Sequence, residues 1–439
     1  MPASRTRVIV AIILAYMLFA VLLNSVGTVI LQSIASLGQT KSSAAILEAF
    51  KDLPIALVSF LVASFLPRFG LRNSMALASA MVCVACIAMP LLPSFATTKL
   101  LFAVTGASFA LIKVSAYAMV GLVARDKADH ASLISTIEGL FMVGVLSGYW
   151  LFGAFIDSTS PTSLRWLNVY WLLALAAAVV AIVVRTTPLD ESAARPMNDA
   201  PSQDFTAIFT LALQPLVLAF LLSAFLYVVV EQAIGTWLPT FNNEVLHMPQ
   251  AMSVMAASLF AAAIAAGRLG AGFVLRRVSW YKVILFCIAM MALLVLLTLP
   301  LTRDLVPDPQ MTWSNAPIAA FILPLVGLFL APIYPVINSR VLSALPPPDH
   351  AVMTGLIVVF SALGGTTGSY ITGQVFAALG GQVAFYLSLV PMALLLLAVS
   401  LFKRLGGRKE LGVSPNEGVG RDSEAARAQG KAFPSSRTD

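Results

Sequence analysis

Seven charged side chains lie inside long apolar stretches of this sequence. An ionised side chain at the centre of a bilayer costs about 2.5–3.5 kcal/mol on insertion scales, so it is retained where it faces a partner or a polar cavity. Each of the seven is therefore a candidate for holding a polar ligand or moving a proton. They are Glu48, Lys51, Asp52, Lys113, Glu138, Glu231 and Arg268.

Lys113 and Glu138 belong to consecutive apolar segments joined by the short loop RDKADHA. These segments must run antiparallel as neighbours, and a rise of 1.5 Å per residue places the two charges ~16 and ~10 Å from the same end. The spacing predicts a Lys113–Glu138 ion pair. Two interpretations stay open: the pair is purely structural, or it faces a cavity in which a substrate or proton breaks it.

Glu48, Lys51 and Asp52 lie in the stretch ILEAFKDLPIAL. Their spacing places all three on one helix face, where Glu48 and Lys51 can pair and Asp52 leaves one negative charge in excess. Pro54 follows and can open the local backbone hydrogen bonding. The patch is either an outer gate or proton access site, or the helix starts later and these groups are simply solvated.

The two remaining charges receive different interpretations. Glu231 lies in the outer half of its segment and is a candidate for binding or coupling. Arg268 lies near the inner end of the next segment and is assigned to a cytoplasmic latch of basic turns, which either holds helices together or only orients the chain. The other members of this latch are Arg68, Arg72, Arg276 and Arg277.

Uncharged polar residues also lie within these apolar segments. Each is expected either to hydrogen-bond a substrate or to hydrogen-bond a neighbouring helix. They are Asn24, Gln32, Tyr117, Gln232, Tyr334, Asn338 and Gln374. Glycines in these segments, such as Gly144, Gly364 and Gly368, predict close helix approach. Pro332 and Pro335 predict a helix break near Tyr334.

The elements that must position these residues are membrane-spanning helices. The chain has 439 residues, of which 59% are hydrophobic and 11% are charged, against about 25% charged in soluble domains. Twelve apolar runs are each long enough to cross a hydrocarbon core ~30 Å thick. They cover roughly residues 8–33, 44–66, 74–92, 99–124, 131–155, 166–184, 210–237, 250–275, 280–300, 316–343, 351–378 and 382–402.

Basic residues predict the orientation of these spans. With a cytoplasmic N-terminus, 20 of the 27 lysines and arginines fall in inside segments, 4 fall outside and 3 lie within spans. This asymmetry follows the positive-inside rule. We therefore expect both termini on the cytoplasmic side of a bacterial inner membrane. The net charge of +7 reflects this topology rather than nucleic-acid binding.

A polar stretch near the middle, RTTPLDESAARPMNDAPSQDF, divides the spans into six and six. Its content of Pro, Ser and charge is typical of a flexible linker. The predicted organisation is an N-terminal six-helix bundle over 1–184, a cytoplasmic linker over 185–205, a C-terminal six-helix bundle over 206–404 and a disordered cytoplasmic tail over 405–439.

Other kinds of chemistry have little support in the sequence. Cys83 and Cys86 form a C-V-A-C spacing inside an apolar run, and the three histidines fall in loops, so we expect neither a redox site nor a metal site. No nucleophile constellation indicates an enzyme, and no catalytic residue is assigned. We expect no cofactor, with a proton gradient as the energy source.

The whole pattern resembles the major facilitator superfamily. The features that carry the resemblance are twelve spans in two halves, the central linker, and GRLGAG (267–272) followed by the basic turn VLRRVSWYK. The matching first-half turn, FLPRFGLRNSM, keeps Arg68, Gly70 and Arg72 but lacks the leading glycine and the aspartate of the family's usual form. The resemblance implies an all-α fold of two pseudo-symmetric six-helix bundles.

Three stretches are similar to the fucose–proton symporter family of sugar transporters: YVVVEQAIGTWLPTF (227–241), APIYPVINSRVLSAL (331–345) and TGLIVVFSALGGTTGSYITGQVF (354–376). In that family's pattern an acid stands where this chain has Lys113, a glutamine where it has Glu138, and a further acid in the first span, where LLNSVGTVILQ has none. The family's fucose specificity and proton site therefore do not carry over directly.

These observations predict a monomeric secondary transporter that works by alternating access on a small-molecule substrate in the lipid bilayer. Proton-coupled uptake of a sugar or sugar derivative is the leading expectation. Lys113 is compatible with an anionic sugar such as a uronate, unless Glu138 neutralises it. The alternative is proton-driven export of a small metabolite or drug, and a membrane sensor or membrane-embedded enzyme is more distant.

Overall fold

A computed structural model describes residues 2–62, 69–191, 211–303, 305–308, 310–345 and 350–410. Within these ranges the protein is all-helical, as predicted. Eleven helical segments there are long and apolar enough to cross a membrane. The second of the twelve predicted spans is occupied by a helix of 16 residues whose last described residue is Val62.

The helices of the N-terminal half are α1 (Pro2–Leu23), α2 (Val26–Ser36), α3 (Lys41–Ala44), α4 (Leu47–Val62), α5 (Leu71–Leu91), α6 (Phe95–Val123), α7 (Lys127–Phe155) and α8 (Val169–Thr186). Those of the C-terminal half are α9 (Pro215–Gly235), α10 (Leu238–Glu244), α11 (Gln250–Val274), α12 (Trp280–Thr298), α13 (Ala319–Ile322), α14 (Val326–Leu330), α15 (Ile333–Ala344), α16 (His350–Leu379), α17 (Gly381–Tyr386) and α18 (Leu389–Glu410).

Some sequence predictions fall beyond these helices. Most of the predicted linker, most of the predicted tail and Arg68 lie outside the described residues. Helix α18 runs past residue 405, where the predicted tail starts, and its last described residue is Glu410.

The helices form two bundles, which the sequence predicts. In the first, α1 packs against α6 and α7, α4 packs against α6, and α5 lies between α6 and α8. In the second, α9 packs against α16 and α18, and α11 packs against α14. The bundles meet mainly where α4 packs against α16 and α7 against α11, and α3 and α2 add contacts with α16 and α10. The helices that carry the candidate residues therefore border one shared interface.

Glycines allow the close helix contacts predicted for them. A Cβ on Gly144 of α7 would crowd the backbone of α1 at Met17, and a Cβ on Gly364 of α16 would crowd the backbone of α9 at Phe225. Small residues at such points let helix backbones approach in a membrane, where van der Waals contact drives association. These contacts fix the rotation of α7 and α16, and with it the side chains that face the interface.

The first span of each bundle is interrupted at an equivalent position. Helix α1 gives way to α2 after Leu23, and α9 gives way to α10 after Gly235. In the first interruption the Asn24 side-chain amide donates to the Ala20 carbonyl (2.9 Å). This hydrogen bond satisfies a backbone acceptor near the end of α1. The two interruptions touch, because Gly27 lies against the Thr236 carbonyl with no room for a Cβ. The tenth span is also broken, before Ile333, as Pro332 predicts.

Polar contacts between the bundles gather at one end of the molecule. We call this end the far face and the opposite end, where α1 begins and α18 ends, the terminal face. Contacts near the far face join Gln32 to Gln250 (Nε2 to Oε1, 3.2 Å), Lys41 to Glu244 (Nζ to Oε2, 2.7 Å) and the Gln374 amide to the Ser42 carbonyl (3.3 Å). The bundles are therefore closed at the far face.

At the terminal face several polar contacts run within the N-terminal bundle, and Tyr281 contacts Ser400 (3.1 Å) within the C-terminal bundle. The Arg5 guanidinium lies 2.7 Å from Asp129 and ties α1 to the start of α7. The Arg125 backbone N–H and the Arg5 guanidinium hold the pKa of the Asp129 carboxyl below its usual range. The Glu191 carboxylate accepts the N–H of Leu71 (2.7 Å) and caps α5. These contacts do not join the two bundles.

The crossing at Gly27 gives a test of the closed far face. We expect Gly27→Ala to destabilise this conformation by about 1–3 kcal/mol, the usual cost of overpacking, because the new methyl group would overlap the Thr236 carbonyl. The measurement is thermal unfolding of the purified protein in detergent. Gly121→Ala on α6 is the matched control, since a Cβ there meets open space. Equal unfolding temperatures for the two variants would contradict the close crossing.

Candidate functional site

Both helix interruptions line a cavity of about 270 Å³ between the bundles. Helices α1, α2, α4, α6 and α7 supply one side of its wall, and α9, α11 and the break residue Thr236 supply the other. Interrupted helices are tolerated at membrane depth where their backbone lines a polar cavity rather than lipid. The break residues Asn24, Gly27 and Thr236 all border this space.

Six of the seven charged residues singled out in the sequence line this one cavity. They are the acids Glu48, Glu138 and Glu231 and the bases Lys51, Lys113 and Arg268. The seventh, Asp52, lies beside the cavity with its Oδ1 3.4 Å from Lys51 Nζ. The fold thus collects equal numbers of acidic and basic side chains on the cavity wall, with one further carboxylate behind it.

Glu48, Lys51 and Asp52 form a buried triad on α4. Their exposed fractions are 0%, 7% and 9%, so the interpretation that the helix starts later and leaves them solvated is wrong. Lys51 pairs with Glu48, as predicted from their spacing. The Asp52 carboxylate faces α16 of the other bundle, where Gly365 leaves it room. The triad therefore lies where α4 and α16 meet.

The triad also touches the interruption of the seventh span. The Thr236 hydroxyl donates to Gln232 Oε1 (2.8 Å) and lies 3.2 Å from Glu48 Oε2. Glu48 is therefore held between Lys51 of its own helix and the break between α9 and α10. A change of charge in the triad would act directly on a contact that joins the two bundles.

The predicted Lys113–Glu138 ion pair is not formed. Glu138 instead accepts a hydrogen bond from the Tyr117 hydroxyl (2.6 Å). Tyr117 lies one turn from Lys113 on α6. Its hydroxyl group makes the contact with Glu138 of α7 that was expected of the Lys113 ammonium. The Lys113 side chain is exposed in the cavity, with its Nζ 6.0 Å from the Phe109 ring centroid. Its charge remains available to a solute.

Arg268, predicted as part of the latch, lines the cavity wall. A Cβ on its neighbour Gly267 would overlap the Leu328 carbonyl, so α11 packs tightly against α14 on that side. The arginine on the next position turns toward the cavity, where its Nη1 lies 3.7 Å from Met142 Sδ of the other bundle. Glu231 lines the same wall and interacts electrostatically with Arg268.

The other latch residues are placed differently. The Arg72 guanidinium donates to the Thr187 carbonyl (3.1 Å), which joins α5 to the end of α8 inside one bundle. Arg276 and Arg277 are exposed in the turn after α11. None of these three forms a contact between the bundles among the polar contacts of the described residues.

The uncharged polar candidates divide into two groups. Asn24 and Gln232 line the cavity, and Tyr117 orients Glu138. The others do not line the cavity. Gln32 and Gln374 join the two bundles at the far face. Tyr334 contacts Ser361 (3.0 Å) and stacks on Tyr227, and Asn338 is half-buried.

Aromatic side chains of the wall were not identified from the sequence. They are Tyr16, Phe109, Phe141, Tyr149 and Phe260. Tyr16 packs edge to face against Phe109 and Phe141, which are tilted against each other, and the ring centroids are 6.0–6.2 Å apart. A signal was present, since Phe109, Lys113 and Tyr117 follow a four-residue spacing that places them on one helix face. The cavity thus combines ionic groups with aromatic rings.

Solved structures share this architecture. The nucleoside transporter NupG is 14% identical, with 91% of this chain and 99% of that chain covered and a TM-score of 0.69. A bacterial homologue of the human lysosomal transporter Spinster, inward-facing and unoccupied, is 15% identical, with 94% and 99% covered and a TM-score of 0.71. A D-xylose–proton symporter is 12% identical, with 90% and 97% covered and a TM-score of 0.64. At these identities the likeness shows the fold alone.

Sequence comparison gives the family. A search of curated protein sequences finds no match. Residues 8–307, more than half of the chain, match the Major Facilitator Superfamily. With its two helical bundles around a central cavity, the chain belongs to the major facilitator superfamily of membrane transporters, which are not enzymes.

Proposed function

We propose that the protein couples the uptake of a sugar or sugar derivative to a flow of protons by alternating access. The observation that carries this proposal is the convergence of six ionisable side chains on one cavity between two bundles whose described residues are joined by polar contacts at the far face. Such a cavity can open to the other side when the bundles rock about it.

The cavity favours a small hydroxylated solute. Its volume of about 270 Å³ lies at the small end of the ~300–1,000 Å³ typical of pockets for drug-sized ligands. The rings of Tyr16, Phe109 and Phe141 offer apolar faces, and Asn24 and Gln232 offer hydrogen bonds. The resemblance of three stretches to the fucose–proton symporter family supports the same substrate class, as does the shared fold of a D-xylose–proton symporter.

The buried triad is the proposed coupling site. It holds two carboxylates and one ammonium, so one negative charge lacks a counterion in a buried setting, which is costly. A proton on Asp52 would remove that excess and change the contact between α4 and α16. Proton binding would therefore act on the helices that close the far face.

The distribution of basic residues supports a cytoplasmic terminal face in a bacterial inner membrane. In that orientation the present conformation is closed toward the outside. The solute would then be released to the cytoplasm from this state, which fits uptake. Export of a small metabolite remains the second candidate, and the direction of coupled transport separates the two.

The proposal is tested with the purified full chain in liposomes. We expect an imposed proton gradient to drive accumulation of at least one sugar or sugar acid above its external concentration, and the solute to draw protons across the membrane. Solute uptake and an internal pH dye provide the two measurements. Accumulation that is unchanged when a protonophore collapses the gradient would contradict proton coupling.

A variant of the triad tests the coupling site. We expect Asp52→Asn to lower gradient-driven accumulation by about tenfold or more, because the amide keeps the shape but carries no proton. Exchange of labelled for unlabelled solute, which needs no proton cycle, should continue. Asp157→Asn is the matched control, because Asp157 lies in an exposed turn where it bonds only locally to Thr159. Normal accumulation and normal pH dependence in Asp52→Asn would exclude it as the coupling group.

A further inference from the structure

Two basic side chains of the cavity have no ionic partner. Lys113 of α6 and Arg268 of α11 are both exposed to it, and neither takes part in any ion pair formed by the described residues. The other cavity cation, Lys51, is paired with Glu48. Among the described residues the cavity acids Glu138 and Glu231 also form no ion pair, but both are half-buried, and Glu138 accepts a hydrogen bond from Tyr117. Lys113 and Arg268 are therefore the most exposed charges on the cavity wall.

The hydrophobic side chains of Phe109, Phe141 and Met142 form a ridge that connects the surroundings of the two cations. Lys113 Nζ lies 6.0 Å from the Phe109 ring, and the Phe109 and Phe141 rings are 6.0 Å apart. Met142 follows Phe141 and contacts the Arg268 guanidinium at 3.7 Å. One solute lying along the ridge would thus meet an ammonium from the N-terminal bundle and a guanidinium from the C-terminal bundle.

Lys113 and Arg268 form no ion pair with any described residue, although a charge within a membrane is costly without a counterion. A bound solute could supply that counterion. Glu231 interacts electrostatically with Arg268 but forms no ion pair with it, so no carboxylate of the described residues occupies the donors of the guanidinium. Arginine and lysine both form strong charge-assisted hydrogen bonds with carboxylates and phosphates. A neutral sugar would leave these donors without an ionic acceptor.

We infer that the substrate is a monosaccharide-sized organic anion whose acidic group is held between Lys113 and Arg268. This inference rests on the proposed transport function and narrows its substrate to sugar acids. Because the two cations come from different bundles, the anion would supply an attraction across the interface on the open side of the cavity. Binding of the substrate would then favour closure of the terminal side around it.

The charge count links this anion to the proton. The cavity wall carries three acids and three bases, and Asp52 behind it adds one negative charge. Loading one proton together with one monoanion leaves the total charge of this region unchanged. Transport of a monoanion with one proton would therefore move no net charge across the membrane.

Binding of matched sugars to the purified full chain tests this inference. The probes are D-glucuronate and D-glucose, which differ by a carboxylate in place of a hydroxymethyl group, with glucose 6-phosphate as a phosphate probe. We expect glucuronate to bind about tenfold more tightly than glucose, or better, as for one gained ionic contact. The preference should disappear in Lys113→Gln and Arg268→Gln and should persist in Lys113→Arg.

Lys282→Gln and Arg277→Gln are the matched controls, since both residues are exposed on the protein surface outside the cavity. Equal affinity for glucuronate and glucose, or no binding of either anion, would overturn the inference. Tighter binding of the phosphate than of the carboxylate would overturn the assignment to sugar acids but retain an anion site. These outcomes do not depend on whether the cavity variants fold, because they are read on the unaltered chain.

Transport in liposomes separates this inference from the function on which it rests. Glucuronate uptake driven by a proton gradient should be insensitive to an imposed membrane potential. Inhibition by an inside-negative potential would contradict the proton–anion balance. If glucuronate binds selectively but no gradient drives its accumulation, the proposed coupling fails and the anion site stands. If the gradient drives uptake of glucose but not of glucuronate, the proposed coupling stands and the anion site fails.

Discussion

A charge within a membrane protein must find a counterion, a hydrogen-bond partner or water, and this constraint organises the interior of the molecule. Seven charged residues lie on helices that are otherwise apolar. The two bundles meet this constraint by placing six of them around one cavity and the seventh directly behind it. The interruptions of the first and seventh spans border the same space, so the broken helix ends and the charged side chains share it. The apolar faces of the helices can then face lipid.

The two ends of the interface differ in what holds them. Near the far face, amide–amide, ionic and backbone contacts join the bundles, and Gly27 allows the interrupted spans to cross closely. Toward the terminal face, polar contacts such as Arg5–Asp129 remain inside one bundle. A solute that contacts both bundles, or a proton that changes the triad on α4, would act where these two regions meet. Substrate binding and closure are thus connected through the same few helices.

Much of this arrangement can be predicted from the sequence. Apolar runs indicate the spans, Gly364 and Pro332 indicate a close contact and a break, and the spacing of Glu48 and Lys51 indicates their pairing on one helix face. These are local features, set by length, by periodicity or by a single residue type. The depth of each charge follows as well, since helical rise converts sequence position into distance along the span.

The contacts that side chains make between helices were harder to predict from the sequence. Equal depth predicted a Lys113–Glu138 pair, but Tyr117 takes the carboxylate and leaves the ammonium in the cavity. Arg268 belonged by sequence to a basic turn, yet the packing of α11 on α14 at Gly267 directs it to the cavity wall. The sequence by itself determined the all-helical membrane fold and which residues lie at mid-depth. Only the tertiary structure decided which of them meet, because the rotation of each helix depends on neighbours that are distant in the chain.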